Sequence, residues 1–307
     1  MDKQNLTKRL FFALWAVPCG WWIINSQFSL LPSSLSRMLV SSPDAYIRPG
    51  MVLAVVLVFL ATAEYFSMIA SPYRKNGFWL IYIWLGYRTF SYFNEDISLS
   101  SGAGLDHYVL LVIVALEAAV WGKGTKRWKR ASLLFSGAFF LSIAQYALLA
   151  LYGSRFARFF PPFGGHSMLS SPGILTVVAA IFMTDTAAFF TGTFWGRHHF
   201  SSISPKKTLE GGVAGLCAAI IVSIVGWQLF AAEEYPLWIG ILMGTIIGFS
   251  AQAGDLLVSA MKRYFRVKDA SNLIPGHGGI LDRFDSVFFT APVLQLFFVL
   301  ISRIMGN

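Results

Sequence analysis

Apolar runs of about 20 residues recur along this chain, near 10–32, 50–70, 131–152, 173–195, 211–232, 237–260 and 286–305. Each is long enough to cross the hydrocarbon core of a bilayer, about 30 Å thick, as a helix. Two shorter runs, 78–93 and 107–121, carry Arg88 and Glu117. Counting both predicts about nine spans, an all-α, polytopic transmembrane helical bundle. Composition agrees: 13% of residues are charged, against about 25% in a soluble domain. The first run follows Lys8-Arg9, contains Pro18 and shows no small-residue cleavage signal, so it reads as an anchor. Cys19 and Cys217 both fall in apolar runs and read as small core residues rather than a disulfide.

The loops orient the bundle. With nine spans and a cytoplasmic N-terminus, the inner segments are 1–9, 71–77, 122–130, 196–210 and 261–285, and they hold 18 of the 24 Lys and Arg residues. The outer segments 33–49, 94–106, 153–172 and 233–236 hold 4, together with Glu95, Asp96, Asp106, Glu233 and Glu234. This asymmetry places the basic loops in the cytoplasm. The net charge of +9 is then explained by loops facing anionic headgroups, and no nucleic-acid partner is expected. The chain divides into N-terminal helices of uncertain role, 1–170, and a C-terminal half, 171–307, that carries nearly every polar constellation.

Four constellations could carry chemistry. Asp185 lies mid-span, where an ionised carboxylate faces either a cavity or a structural partner; Gly192 and Gly196 follow at the spacing that lets helices approach closely. Next come Ser204-Pro205-Lys206-Lys207-Thr208-Leu209-Glu210-Gly211-Gly212. Two ammonium groups precede a helix start whose exposed N–H groups favour anions, so a polyphosphate fits; lysines marking the inner face are the plain alternative. Third, Asp255 and Ser259 are four apart and share a helix face ahead of Lys262 and Arg263. Gly240, Gly244 and Gly248 precede them as a packing stripe.

The fourth is the loop Pro275-Gly276-His277-Gly278-Gly279, leading to Asp282-Arg283-Phe284-Asp285. Irregular glycine-rich backbone offers donors to phosphate oxygens. Asp282 and Asp285 share a face if the next helix has begun, and carboxylate oxygens suit Mg²⁺ beside substrate phosphates. Arg283 points elsewhere on that helix. His277 fits substrate positioning better than proton transfer. His198-His199 are adjacent, point apart and read as interfacial. Glu64 is a structural contact or part of a substrate cavity, and Glu117 lies near an interface.

The spacings S-x-x-K-R-x4-K-D-x-S-x2-I-P-x-H-G-G-x2-D-R-x-D, over 259–285, and S-P-K-K-T-x-E-G-x3-G, over 204–215, resemble the signature of phosphatidate cytidylyltransferases. The likeness covers about 175–300. Phe189 departs from an expected tyrosine and His198-His199 from a basic lysine region. The resemblance implies transfer of a cytidylyl group from CTP to phosphatidate, with Mg²⁺ as cofactor. It implies catalytic roles for Asp255, Asp282, Lys262 and His277, and metal binding by Asp255, Asp282 and Asp285. It further implies substrate binding by Asp185, Ser204, Lys206, Lys207, Ser259, Arg263, Lys268, Asp269, Gly278, Gly279 and Arg283. The expected partners are CTP, phosphatidate and membrane lipid, with room for a homodimer. The expected location is a multi-pass membrane protein with a cytoplasmic site, in the inner membrane if the source is bacterial. Cytidylyl transfer to another lipid phosphate, and transport of an anionic solute, are the alternatives.

Overall fold

A computed structural model describes residues 49–69, 79–93, 126–151, 159, 172–199, 204, 207–231, 235–274 and 278–305. Seven helices fall within them: α1 (Pro49–Met68), α2 (Trp79–Phe93), α3 (Lys126–Ala150), α4 (Pro172–Phe194), α5 (Leu209–Phe230), α6 (Leu237–Tyr264) and α7 (Leu281–Ile304). Among the described residues there is no strand, only the isolated bridges His199–Thr208 and Ile274–Gly278. All helices but α2 are long and apolar enough to span a membrane. The 15 residues of α2 rise about 22 Å, short of a full crossing. Of the nine expected spans, the runs 10–32 and 107–121, with Cys19 and Glu117, lie outside the described residues, so the count of nine is not established.

Helices α4, α5, α6 and α7 pack in sequence; α3 then joins α7 to α1 and α2. In lipid, where burial of apolar surface adds no drive between helices, close packing does this work. The glycine stripe of α6 supplies it. A Cβ added at Gly244 would stand 2.6 Å from the Ile220 Cα and 2.9 Å from the Ala219 carbonyl oxygen. On α4 and α5 the step is reciprocal: a Cβ at Gly211 would meet the Ala188 carbonyl oxygen at 2.6 Å and the Gly192 Cα at 3.3 Å. Ser250 Oγ also donates to Thr290 Oγ1 across α6 and α7 at 3.1 Å. One such bond is worth about 0.6 kcal/mol, so shape outweighs it.

Cys217 corrects an expectation. It is exposed, on the face of α5 that also exposes Val213 and Ile221. The inward face is taken by Gly211, Gly215, Ala219 and Ser223, which leaves no room for a thiol there.

Two apolar clusters fill the bundle. One joins Tyr65, Phe66, Trp84, Leu134 and Leu141 to Val258, Leu281 and Phe288. The other gathers Phe159, Trp227, Tyr235, Ile239, Leu294 and Phe298, with the Phe159 ring 4.5 Å from Tyr235 and 4.9 Å from Phe298.

Hydrogen bonds show which helix ends meet. Leu209 N donates to His198 O at 2.8 Å, joining the end of α4 to the start of α5. Tyr65 Oη donates to Leu133 O at 2.8 Å, joining the last turns of α1 to the first turns of α3. Lys262 near the end of α6 reaches Asp282 at the start of α7. With Lys207 also on Asp255 and Ile280 N on Glu64, the described parts of 196–210 and 261–285 share one end of the bundle with the last turn of α1. At the opposite end, Tyr92 Oη donates to Leu149 O at 2.8 Å.

Candidate active site

The start of α5 is built by its cap. Thr208 is extended (φ −116°, ψ 153°), and its side chain accepts from Gly211 N at 3.2 Å. Gly212 N bonds Thr208 O at 3.0 Å. His198 Nδ1 stands 2.6 Å from Glu210 Oε1, which fastens the incoming strand of chain to the same turn. Immediately before the cap, Lys207 N donates to Ser204 O at 3.0 Å. That turn directs Lys207 toward α6, where its Nζ lies 2.6 Å from Asp255 Oδ2. Ser259 Oγ donates to Asp255 Oδ1 at 3.3 Å, so the shared helix face read from the sequence is observed. Gln252, one turn earlier on α6, donates from Nε2 to Gly212 O at 3.1 Å and holds the two helices in register. Both side chains of the Lys207–Asp255 pair keep access to solvent, at 23% and 34%. Asp185, also exposed, is within Coulombic reach of both. An open groove therefore runs between α4, α5 and α6.

A second pair lies deeper. Lys262 Nζ donates to Asp282 Oδ1 at 2.6 Å, with side-chain exposures of 13% and 7%. Asp282 Oδ2 accepts from Ala270 N at 2.8 Å and Gly279 N at 2.9 Å. The carboxylate thus closes the loop between α6 and α7 on itself. Gly278 takes a positive φ of 82°, and a Cβ there would stand 2.9 Å from Asp282 Oδ2; glycine suits both demands. Asp285 is buried beside it. Its Oδ1 accepts from Ser286 N at 2.6 Å, and it lies within Coulombic reach of Asp255, Asp185 and Lys262.

The helix does begin before Asp282, as the shared-face reading of Asp282 and Asp285 required. Among the described residues, however, no three His, Cys, Asp or Glu side chains converge closely enough to hold one ion. Arg263 is exposed and its Nη1 donates to Val267 O at 3.3 Å. Lys268, Asp269 and Arg283 are exposed around the same rim, and Ser204 is half-buried. Lys206 and His277 lie outside the described residues.

Of the backbone expected to offer donors to phosphate, residues 275–277 lie outside the described residues, and several N–H groups at the two helix starts have partners within the protein. At α5, Leu209, Gly211 and Gly212 donate to His198 and Thr208. At α7, Gly279, Ile280 and Leu281 donate to carboxylates. These N–H groups are spent within the protein. The residue that completes this capping is Glu64. Its Oε1 accepts from Ser271 Oγ at 2.6 Å and Ile280 N at 2.8 Å, and its Oε2 from Leu281 N at 2.7 Å. Both of the roles considered for it in the sequence stood open; its partners make it a structural contact to the loop. The signal for it was a lone carboxylate within an apolar run.

The family model described as "Cytidylyltransferase family" matches residues 26–301. The phosphatidate cytidylyltransferase of Synechocystis sp. (strain ATCC 27184 / PCC 6803 / Kazusa) is 41% identical over 155 residues, covering 48% of this chain and 52% of that relative. That of Staphylococcus saprophyticus is 41% identical over 127 residues, covering 41% of this chain and 48% of the relative. That of Staphylococcus haemolyticus shares the same identity and coverage. The aligned region spans about half the length of these curated relatives.

Proposed function

This chain belongs to the cytidylyltransferase family, and from that premise we propose that it transfers a cytidylyl group from CTP to phosphatidate at the end of the bundle where α5, α6 and α7 meet. The observation that carries the reading is the pair of lysine–aspartate contacts, Lys207–Asp255 and Lys262–Asp282, set side by side at that end. A phosphate oxygen of the lipid attacks the α-phosphorus of CTP. A new P–O bond forms, the bond to the bridging oxygen of the β-phosphate breaks, and pyrophosphate leaves with the electron pair. Such a reaction asks for anions to be brought together and their charge stabilised more than for proton transfer.

Lys207 at the open groove and Lys262 deeper in it bind phosphate oxygens, and exposed Arg263 and Lys268 draw the nucleotide in from water. Asp185 and Ser259 shape the groove wall. By the resemblance of its motif, His277 orients substrate. Acyl chains stay in lipid beside the apolar faces of α4 and α5, where Phe182, Phe189 and Ile221 are exposed.

The donor set suits Mg²⁺. Asp255 and Asp285 lie within reach of each other's charge, a like-charge arrangement that a hard divalent cation relieves. No three carboxylates converge on one point among the described residues, so Asp255 and Asp285 would hold it together with substrate phosphates, with Asp282 beside them on its contact with Lys262, and when bound it would supply neutralisation of the triphosphate. The positive charge of the basic loops supports a cytoplasmic position for this end. The test is incubation of purified protein with CTP, Mg²⁺ and phosphatidate, with detection of pyrophosphate and CDP-diacylglycerol. Product from a different lipid phosphate at higher rate would move the acceptor; no CDP-lipid from any would overturn the reading.

A further inference from the structure

Glu64 is the strongest unassigned polar feature of the molecule. It is 5% exposed, one turn from the end of α1, in a helix with no other charged residue. A buried carboxylate is costly unless its oxygens are well bonded. Among the described residues its partners are three donors, and all belong to the segment 271–281: Ser271 Oγ, Ile280 N and Leu281 N. The cap position of α7, Ile280, offers no side-chain cap of its own. Glu64 takes that role from another helix, with the favourable dipole of the α7 start behind it. The fit is close, since a Cβ at Gly279 would stand 2.5 Å from Glu64 Oε2.

Asp282 grips the same segment from the other side, through Ala270 N and Gly279 N. The segment is held between two carboxylates, one from each half of the chain. Apolar anchoring accompanies them: Ala270, Ile274, Ile280 and Leu281 share a cluster with Tyr65 and Phe66 of α1. We infer that Glu64 is a positioning residue, which sets the pose of Ser271 and of residues 279–281 and, through Leu281, the placement of Asp282 against Lys262. The N-terminal helices thereby take part in the chemistry without touching substrate. The kinetic half of this inference rests on the cytidylyl-transfer reading; the structural half does not.

The experiment compares wild type with Glu64→Gln, Glu64→Ala and Ser271→Ala. Glutamine keeps the size of the side chain but turns one acceptor oxygen into a donor facing Leu281 N. With the hydrophobic anchors intact, Glu64→Gln should fold, its thermal midpoint in detergent close to wild type. Backbone hydrogen exchange at 279–281 should speed up by about 10-fold or more, with α4 and α5 unchanged. In the CDP-lipid assay kcat should fall by about 30-fold with KM for CTP within about threefold, the range seen when a supporting hydrogen bond misplaces a reacting group. Glu64→Ala should fall further, and Ser271→Ala should lose a few-fold in the same direction.

Unchanged exchange at 279–281 in Glu64→Gln overturns the inference. So does activity that drops only in proportion to the folded fraction, since that marks a merely structural role. If wild type itself makes no CDP-lipid, the proposed reaction fails, while the exchange measurement still decides whether Glu64 positions the segment.

Discussion

Lys207, one residue before the cap of α5, and Asp255, in the second half of α6, meet at 2.6 Å although 48 positions separate them in the chain. The contact forms because the Thr208 cap and the turn closed by Lys207 N on Ser204 O leave the lysine pointing at α6. A half-exposed pair of this kind contributes about 1 kcal/mol or less to stability. Its value therefore lies in what the lysine does for a ligand. Lys207→Gln should weaken CTP binding by about 10-fold or more, with thermal stability nearly unchanged. Binding of labelled CTP to the detergent-solubilised protein measures this, and unaltered affinity would reduce Lys207 to a topological charge.

The two aspartates at the site should separate under the same substitution. On the proposed reading Asp255→Asn and Asp282→Asn both remove charge from the phosphate site, and both should abolish most turnover. Only Asp282 also closes a buried ion pair and caps two backbone N–H groups. Breaking such a pair costs about 3 kcal/mol, so Asp282→Asn should lower the unfolding midpoint while Asp255→Asn should not. Equal midpoints would show that the loop does not depend on the Asp282 clasp.

Opposite faces of the helix pair should tolerate bulk differently. Gly244 faces the backbone of α5 at 2.6 Å from where a Cβ would stand, so Gly244→Leu should separate α5 from α6 and destabilise by about 2 kcal/mol or more. Cys217→Leu, on the exposed face, should be nearly neutral. Thermal melts of the two variants settle the comparison, and a neutral Gly244→Leu would contradict the packing described.

Sidedness can be probed at Leu273, which is 53% exposed in the loop before α7. Ser271, two residues earlier, is unsuitable because Glu64 holds its hydroxyl. A cysteine introduced by Leu273→Cys, in a background with Cys19 and Cys217 replaced, should react with a membrane-impermeant maleimide from the cytoplasmic face. CTP should sustain turnover in sealed vesicles from that face alone. Labelling from the opposite face would invert the orientation.

Much of this was legible in the sequence, for reasons that differ by residue. The positions of the six described spans follow from apolar length. The stripe Gly240, Gly244 and Gly248 was readable because small residues at four-residue steps have one main use in a membrane helix, and Asp255 with Ser259 because helical spacing alone puts them together. Cys217 was misplaced because an all-round apolar helix gives no sign of which face meets lipid. The capping of α7 by Glu64 was hidden because it joins positions more than 200 apart, and no local pattern specifies a partner at that distance. The same holds for the N–H groups of both helix starts: the sequence shows that a start exists, but not whether a side chain has already occupied it.

That last feature has a bearing on ionic strength. A backbone nest holds an anion through fixed dipoles in a shielded cradle. In this protein Thr208, Asp282 and Glu64 take up described N–H groups at the starts of α5 and α7, so on the proposed reading nucleotide is held by long, hydrated lysine and arginine side chains at the rim. Screening acts strongly on such charges, since the Debye length shrinks from about 10 Å at 0.1 M salt to about 3 Å at 1 M. CTP affinity should consequently fall steeply across that range while the fold, secured by packing and internal caps, does not change. A titration of CTP binding against NaCl, beside thermal melts in the same buffers, measures both, and salt-independent binding would mean that the rim cations do not hold the nucleotide.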